Sequence, residues 1–122
     1  IDDTYNANPS SLAAALDTLA MMPGKKILVL GDMAELGDDT DTWHSWAGQA
    51  ARTAGIAELF AVGKLTRLAA ESFGGNSHHL PDDQALVKAL LPQLRPGVNV
   101  LVKGSRCMAM ESIVAELIHH NH

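Results

Sequence analysis

The chain holds one cysteine, Cys107, and a single thiol forms no internal disulfide, so nothing in its 122 residues calls for an oxidising compartment. Aromatic residues make up only 4% of the chain, and its nine lysines and arginines are scattered, so the aromatic-laced basic stripe of a nucleic-acid surface is missing. No apolar run approaches the roughly 20 residues needed to span a bilayer, and no signal-peptide pattern opens the chain. There is no Gly-x-x-x-x-Gly-Lys-Ser/Thr phosphate loop, because Gly24-Lys25 and Gly63-Lys64 each lack a glycine five positions earlier. No Gly-x-Gly-x-x-Gly follows an apolar run, which argues against a dinucleotide oxidoreductase, and no Cys or His spacing suits zinc. The expectation is a cytoplasmic protein with no membrane and no nucleic-acid partner, and no strongly bound cofactor of its own. Hydrophobic content of 47% against 19% charged residues places it among globular chains, with a net charge of −5.

The length is that of one domain with a continuous core. Short apolar runs alternate with helical periodicity throughout. Ile1-Asp2-Asp3 reads as the end of a strand whose beginning lies upstream. Asn8-Pro9 then caps and opens a helix that carries Leu12, Leu16 and Leu19 and stops at Gly24. Ile27 to Leu30 is apolar without alternation, as in a strand buried on both faces. A helix from about Asp41 or Thr42 carries Trp43, Trp46, Ala47, Ala50, Ala51 and Ala54 as its apolar stripe, with Trp46 in the core and Trp43 more exposed. Leu59 to Val62 is the next strand, and Leu65, Leu68, Ala69 and Phe73 mark the following helix, ended by Gly74-Gly75. Ser77 to Leu80 makes a short strand, and Pro81-Asp82-Asp83 opens a helix that Pro92 breaks. Val98 to Val102 is the fifth strand, and Met110, Ile113, Val114, Leu117 and Ile118 line a last helix. Five strand-then-helix units predict a single α/β domain: Rossmann-like, doubly wound, a mostly parallel sheet with helices on both faces. The terminal His119-His120-Asn121-His122 reads as a helix end rather than a metal site.

In an open parallel sheet, ligands bind at the carboxyl ends of the strands. The segments leaving those ends are 2–8, 31–37, 63–64, 80–83 and 103–106, and they hold nearly every residue that packing does not explain. Asp2-Asp3-Thr4-Tyr5-Asn6-Ala7-Asn8-Pro9 sets two carboxylates, a hydroxyl, a phenol and two amides before a helix N-terminus, where free N–H groups favour anions. The blander reading is a capped loop with Asn8 as the cap. Gly31-Asp32-Met33-Ala34-Glu35-Leu36-Gly37 offers Asp32 and Glu35 to an ammonium or a metal-bound water, or else is a solvated acidic loop. Lys103-Gly104-Ser105-Arg106 puts two cations and a hydroxyl around a glycine, a carboxylate or phosphate clamp. Cys107 reads as apolar filler rather than a nucleophile. His44, His78 and His79 read as structural. The turns at the opposite edge of the sheet read as plain turn chemistry.

In order and spacing, these three segments resemble the Mur ligase family, and the likeness runs through the whole chain. Sister ligases carry Asp-Tyr-Ala-His-x-Pro and Lys-Gly-His at the first and third motifs. Here Tyr5-Asn6-Ala7-Asn8-Pro9 and Lys103-Gly104-Ser105-Arg106 stand instead, the pattern of the dipeptide-adding branch. The resemblance implies that residues 1–122 are the C-terminal domain of a three-domain ATP-dependent enzyme of peptidoglycan precursor synthesis. It implies that ATP, with Mg2+, activates the terminal carboxylate of UDP-N-acetylmuramoyl-tripeptide as an acyl-phosphate, which the amine of D-alanyl-D-alanine attacks. The phosphate loop and metal ligands would belong to a central domain, leaving no catalytic residue and no metal ligand here, so this piece alone is expected to be inactive. Asp3 would hold the ribose, and Tyr5, Asn6 and Asn8 would lie near the nucleotide. Lys103, Ser105 and Arg106 would face the dipeptide, with Asp32 and Glu35 bordering the same cleft. Two rivals share the fold class. A phospho-signalling receiver needs an Asp after the third strand, where Val62-Gly63 stands. A stand-alone α/β binding module would carry no enzyme around it.

Overall fold

The computed structural model describes residues 9–32 and 39–103. Within them, helix α1 (Pro9–Ala20) leads to strand β1 (Lys25–Gly31), α2 (Thr40–Thr53), β2 (Glu58–Val62) and α3 (Thr66–Phe73). Strand β3 (Ser77–Leu80), α4 (Asp83–Leu90), a 3-10 turn (Leu91–Gln93) and β4 (Val98–Lys103) complete the order. The expected first strand at Ile1-Asp2-Asp3 and the expected last helix around Met110 to Ile118 lie outside the described residues.

The four described strands form one sheet in the order β3-β2-β1-β4, and every pairing is parallel. The pleat of β1 sends Leu28 and Leu30 to one face and Ile27 and Val29 to the other. Leu28 and Leu30 join Leu12, Leu16 and Leu19 of α1, Ala47 and Ala51 of α2, and Ala69 and Phe73 of α3. Ile27 and Val29 join Phe60, Val102 and Leu86 and Leu90 of α4. Burial on both faces is why β1 is apolar without alternation, and it makes the sheet doubly wound as expected.

Several element boundaries shift by one or two residues from those expected, and one helix face differs. β1 begins at Lys25, two residues before the apolar run, because Lys25 and Lys26 pair with Val98 and Asn99. α4 stops at Leu90, and the chain crosses Pro92 as a 3-10 turn, which accepts a proline near its start. On α2 the fully buried positions are His44, Ala47, Gly48 and Ala51. Of the expected stripe, Ala47 and Ala51 lie on this buried face, while Trp43, Trp46, Ala50 and Ala54 form its half-buried flank. Trp46 packs on the core from that flank, and Trp43 meets it edge-on with ring centroids 5.8 Å apart. The reason for the shift is Gly48. A Cβ there would stand 2.1 Å from the carbonyl oxygen of Ala69, so α2 and α3 touch backbone to backbone along a groove too narrow for indole rings.

Candidate functional site

Strand order reverses between β1 and β4: the chain runs outward from β1 to β2 to β3, then returns to the other side of β1. The crevice beyond the carboxyl ends of such a strand pair is where open α/β sheets bind ligands. Here it is bordered by Gly31-Asp32 at the end of β1 and by Lys103 at the end of β4, with Leu30 and Lys103 in register across the pair. Two segments singled out in the sequence therefore leave the sheet at the switch point. The residues that continue them, Glu35, Ser105 and Arg106, lie outside the described residues, as do Asp3, Tyr5, Asn6 and Asn8.

Lys103 is fully buried, although the sequence reading presented it as a loop cation. It is the last residue of β4, with its Nζ 3.3 Å from Ser11 Oγ in the first turn of α1. Taking an ammonium out of water is costly unless polar partners surround it. A lysine held this way has its Nζ fixed in place beside the first turn of α1.

Asp32 is equally committed. Its Oδ1 accepts the backbone N–H groups of both Leu65 and Thr66, each at 2.9 Å. The residue just before α3, Leu65, has no side-chain oxygen to cap the helix, so the cap comes from the end of a neighbouring strand. Gly63 makes the approach possible: it has φ +122°, and a Cβ on it would stand 2.4 Å from Asp32 Oδ1. The Gly63 carbonyl then accepts the Thr66 hydroxyl at 3.0 Å and the His79 Nε2–H at 2.6 Å. The carboxyl ends of β1, β2 and β3 are thus tied into one network. Thr66 and Ser11 had no sequence signal of their own, and Gly63 and His79 none that showed their partners, because each matters through a group that the packed sheet brings to it.

At the opposite edge, where plain turn chemistry was expected, the structure adds a polar cluster. Glu58, nearly buried at the start of β2, receives Lys25 Nζ at 2.6 Å and His78 Nε2 at 3.1 Å. Lys25 also reaches Gln93 at 2.8 Å, and the His78 ring stacks on Phe60 with centroids 4.8 Å apart. Burial by itself pushes the Glu58 carboxyl up. The hydrogen bonds and charges of Lys25 and His78 outweigh it and hold the group below its ordinary value of 4.5. An open depression lined by Lys25, Gln93, Arg95, Pro96, Gly97 and Val98 lies at this edge, away from the switch point.

His44 on α2 is structural, as expected: it is fully buried, and its Nδ1–H donates to the Thr40 carbonyl at 2.7 Å. Among the described residues no group of three His, Cys, Asp or Glu could hold a metal ion, and no helix is long and apolar enough to cross a membrane.

The family described as Mur ligase, glutamate ligase domain, matches residues 1–106. Over 119 residues the chain is 44% identical to the UDP-N-acetylmuramoyl-tripeptide–D-alanyl-D-alanine ligase of Escherichia coli K12, covering 96% of this chain and 26% of that protein. It superposes on a MurF crystal structure from Acinetobacter baumannii with a TM-score of 0.86 and 32% identity, over 98% of this chain and 28% of the other. The MurF ligase of Thermotoga maritima, solved in complex with ADP, gives a TM-score of 0.82 at 27% identity, over 99% of this chain and 28% of the other. The chain spans about a quarter of the length of the relatives it matches.

Proposed function

The chain belongs to the Mur ligase family, and from that premise we propose that it serves as the nucleotide-closing, amino-component-binding domain of a ligase joining D-alanyl-D-alanine to UDP-N-acetylmuramoyl-tripeptide. The observation that carries the proposal is the 44% identity to a ligase of that name across 96% of the chain. The reading makes the chain the C-terminal part of a three-domain cytoplasmic enzyme whose partners are its own N-terminal and central domains.

ATP supplies the phosphoryl group that activates the acceptor's carboxylate; this chain binds and orients. Asp3, Tyr5, Asn6 and Asn8, ahead of α1, meet the nucleotide, with Asp3 on the ribose. The fully buried Lys103, at the switch point beside the first turn of α1, fits a site for anionic groups. With Ser105 and Arg106, which follow it after Gly104, it faces the dipeptide, whose free carboxylate pairs with the planar guanidinium of Arg106 through two parallel hydrogen bonds. Asp32 and Glu35 border the same cleft. Mg2+ would be held by the central domain, and among the described residues no group of three His, Cys, Asp or Glu could hold it. The receiver alternative is not favoured, since the relatives are ligases and Asp32 Oδ1 is taken up by two amides.

The test is steady-state kinetics on the whole protein that contains this chain. Phosphate release from ATP should require both the UDP-linked tripeptide and D-alanyl-D-alanine. Arg106→Lys should raise the KM for the dipeptide at least ~10-fold, about 1.4 kcal/mol, and leave the KM for ATP within about twofold. Turnover that ignores the dipeptide would overturn the ligase reading. An effect of Arg106→Lys on ATP alone would move that residue to the nucleotide side.

A further inference from the structure

We propose that Asp32 is a positioning residue for the ligase site, acting through the backbone rather than by charge on the substrate. The inference rests on the ligase reading above and deepens it by separating the work of Asp32 from that of the cations across the switch point.

Four observations carry it. Asp32 Oδ1 accepts from two consecutive backbone amides, Leu65 and Thr66, at equal distances of 2.9 Å, the arrangement of a helix cap. The cap comes from 33 residues away, so it joins two strand ends instead of closing a local turn. Gly63 packs so closely on the carboxylate that a Cβ there would come within 2.4 Å of Oδ1 and 2.6 Å of Cγ, so only glycine admits the carboxylate at this place. The Gly63 carbonyl is itself held from both sides, by the Thr66 hydroxyl and by His79 of β3.

Anchoring at Asp32 bears on the β1 side of the crevice. Asp32 stands one residue past the end of β1, beside the switch point and across from Lys103 at the end of β4. Pinning it to the first turn of α3 fixes that border of the crevice in place. A substrate contact would depend on the negative charge. An anchor depends on an acceptor oxygen at that place, which asparagine also offers, and Asn and Asp cap helices about equally well.

The experiment compares Asp32→Ala, Asp32→Asn and Gly63→Ala in the full-length ligase. Asp32→Ala removes the acceptor, and Gly63→Ala displaces the carboxylate without altering it. Both should lower kcat/KM for D-alanyl-D-alanine at least ~10-fold while the KM for ATP stays within about twofold. Asp32→Asn should rescue the activity to within about threefold of wild type. A parallel measurement of hydrogen exchange should find the Leu65 and Thr66 amides protected in the wild type and in Asp32→Asn, and fast-exchanging in Asp32→Ala. If Asp32→Asn is as damaged as Asp32→Ala while both amides stay protected, the charge acts on substrate and the proposal is wrong. Full activity in Asp32→Ala overturns it as well. If the wild type shows no dipeptide-dependent turnover, the ligase reading fails, and the exchange measurement still decides whether Asp32 anchors α3.

Discussion

Replacing Gly48 with alanine sets two effects of opposite sign against each other, and the geometry decides between them. In the interior of an ordinary helix the change stabilises by about 0.5–1 kcal/mol, because alanine restricts the unfolded chain and is the best helix former. Gly48 lies in the middle of α2, so propensity alone predicts a gain. The new Cβ, however, would stand 2.1 Å from the Ala69 carbonyl oxygen, 2.9 Å from its carbon and 3.0 Å from the Phe73 nitrogen. A comfortable C···O approach is about 3.3 Å or more, so the helices must part by roughly an ångström. All three obstructing atoms are backbone and cannot rotate away. Overpacking of this kind costs about 1–3 kcal/mol, and a gap of ~0.5–1 Å forfeits a quarter to a half of each dispersion contact along the seam. The upper part of that range applies, and after the helix gain the expected net loss is about 1–2 kcal/mol. For a domain of this size that lowers Tm by roughly 3–10 °C. Urea denaturation followed by tryptophan fluorescence is the direct assay, since both tryptophans, Trp43 and Trp46, lie on α2 itself. The midpoint should fall at an unchanged slope, while Gln49→Ala, exposed on the same helix, should shift it little. A Gly48→Ala midpoint above the wild type would refute the reasoning, because it would mean that α2 and α3 separate without cost.

Trp46→Ala should cost more than Trp43→Ala: about 1.5–2.5 kcal/mol for a half-buried indole resting on the core, against roughly 1 kcal/mol for the loss of an edge-on ring contact. Equal losses in chemical denaturation would contradict that packing. Glu58 is held below its ordinary pKa in the folded chain, so its contribution to stability is present above about pH 4.5 and is lost as pH falls through the lowered value. Glu58→Gln should therefore lower the urea midpoint at neutral pH, with the gap to wild type closing as pH falls from 4.5 through the lowered value. A gap that is constant from about pH 7 to about pH 3 would exclude the Lys25 and His78 contacts as its source. Residues 1–122 alone should fold yet neither hydrolyse ATP nor bind ADP better than about millimolar, since a few hydrogen bonds of about 1–3 kcal/mol must offset an association cost of at least ~4 kcal/mol. Micromolar ADP binding by calorimetry would reveal a more complete nucleotide pocket in this chain.

Much of the architecture was legible in the sequence because it depends on neighbours. Leu12, Leu16 and Leu19 at helical spacing identify α1 and its buried face without reference to anything else, and Ile27 to Leu30 announces a strand covered on both sides. Once strands and helices alternate, a parallel sheet and a functional carboxyl edge are implied, and Asp32 and Lys103 were found at that edge for that reason. Their surroundings were not legible. Lys103 reads in sequence as a loop cation, yet the first turn of α1 meets it at the end of β4 and it is fully buried. Asp32 reads as half of an acidic loop, yet it caps a helix that begins 34 residues later. The same holds for Lys25 and Glu58, paired across 33 residues, and for α2, whose most buried positions are His44, Ala47, Gly48 and Ala51 and not its two half-buried tryptophans. Periodicity along one element reveals which residues prefer to leave water. It cannot reveal how closely a second backbone will approach, and that distance is what brings Gly48 against Ala69 and Gly63 against Asp32. Local preference, summed over a few turns, determined the elements and their order. The contacts that shape the site join residues whose only connection is the packed sheet between them, and only the tertiary structure decided those.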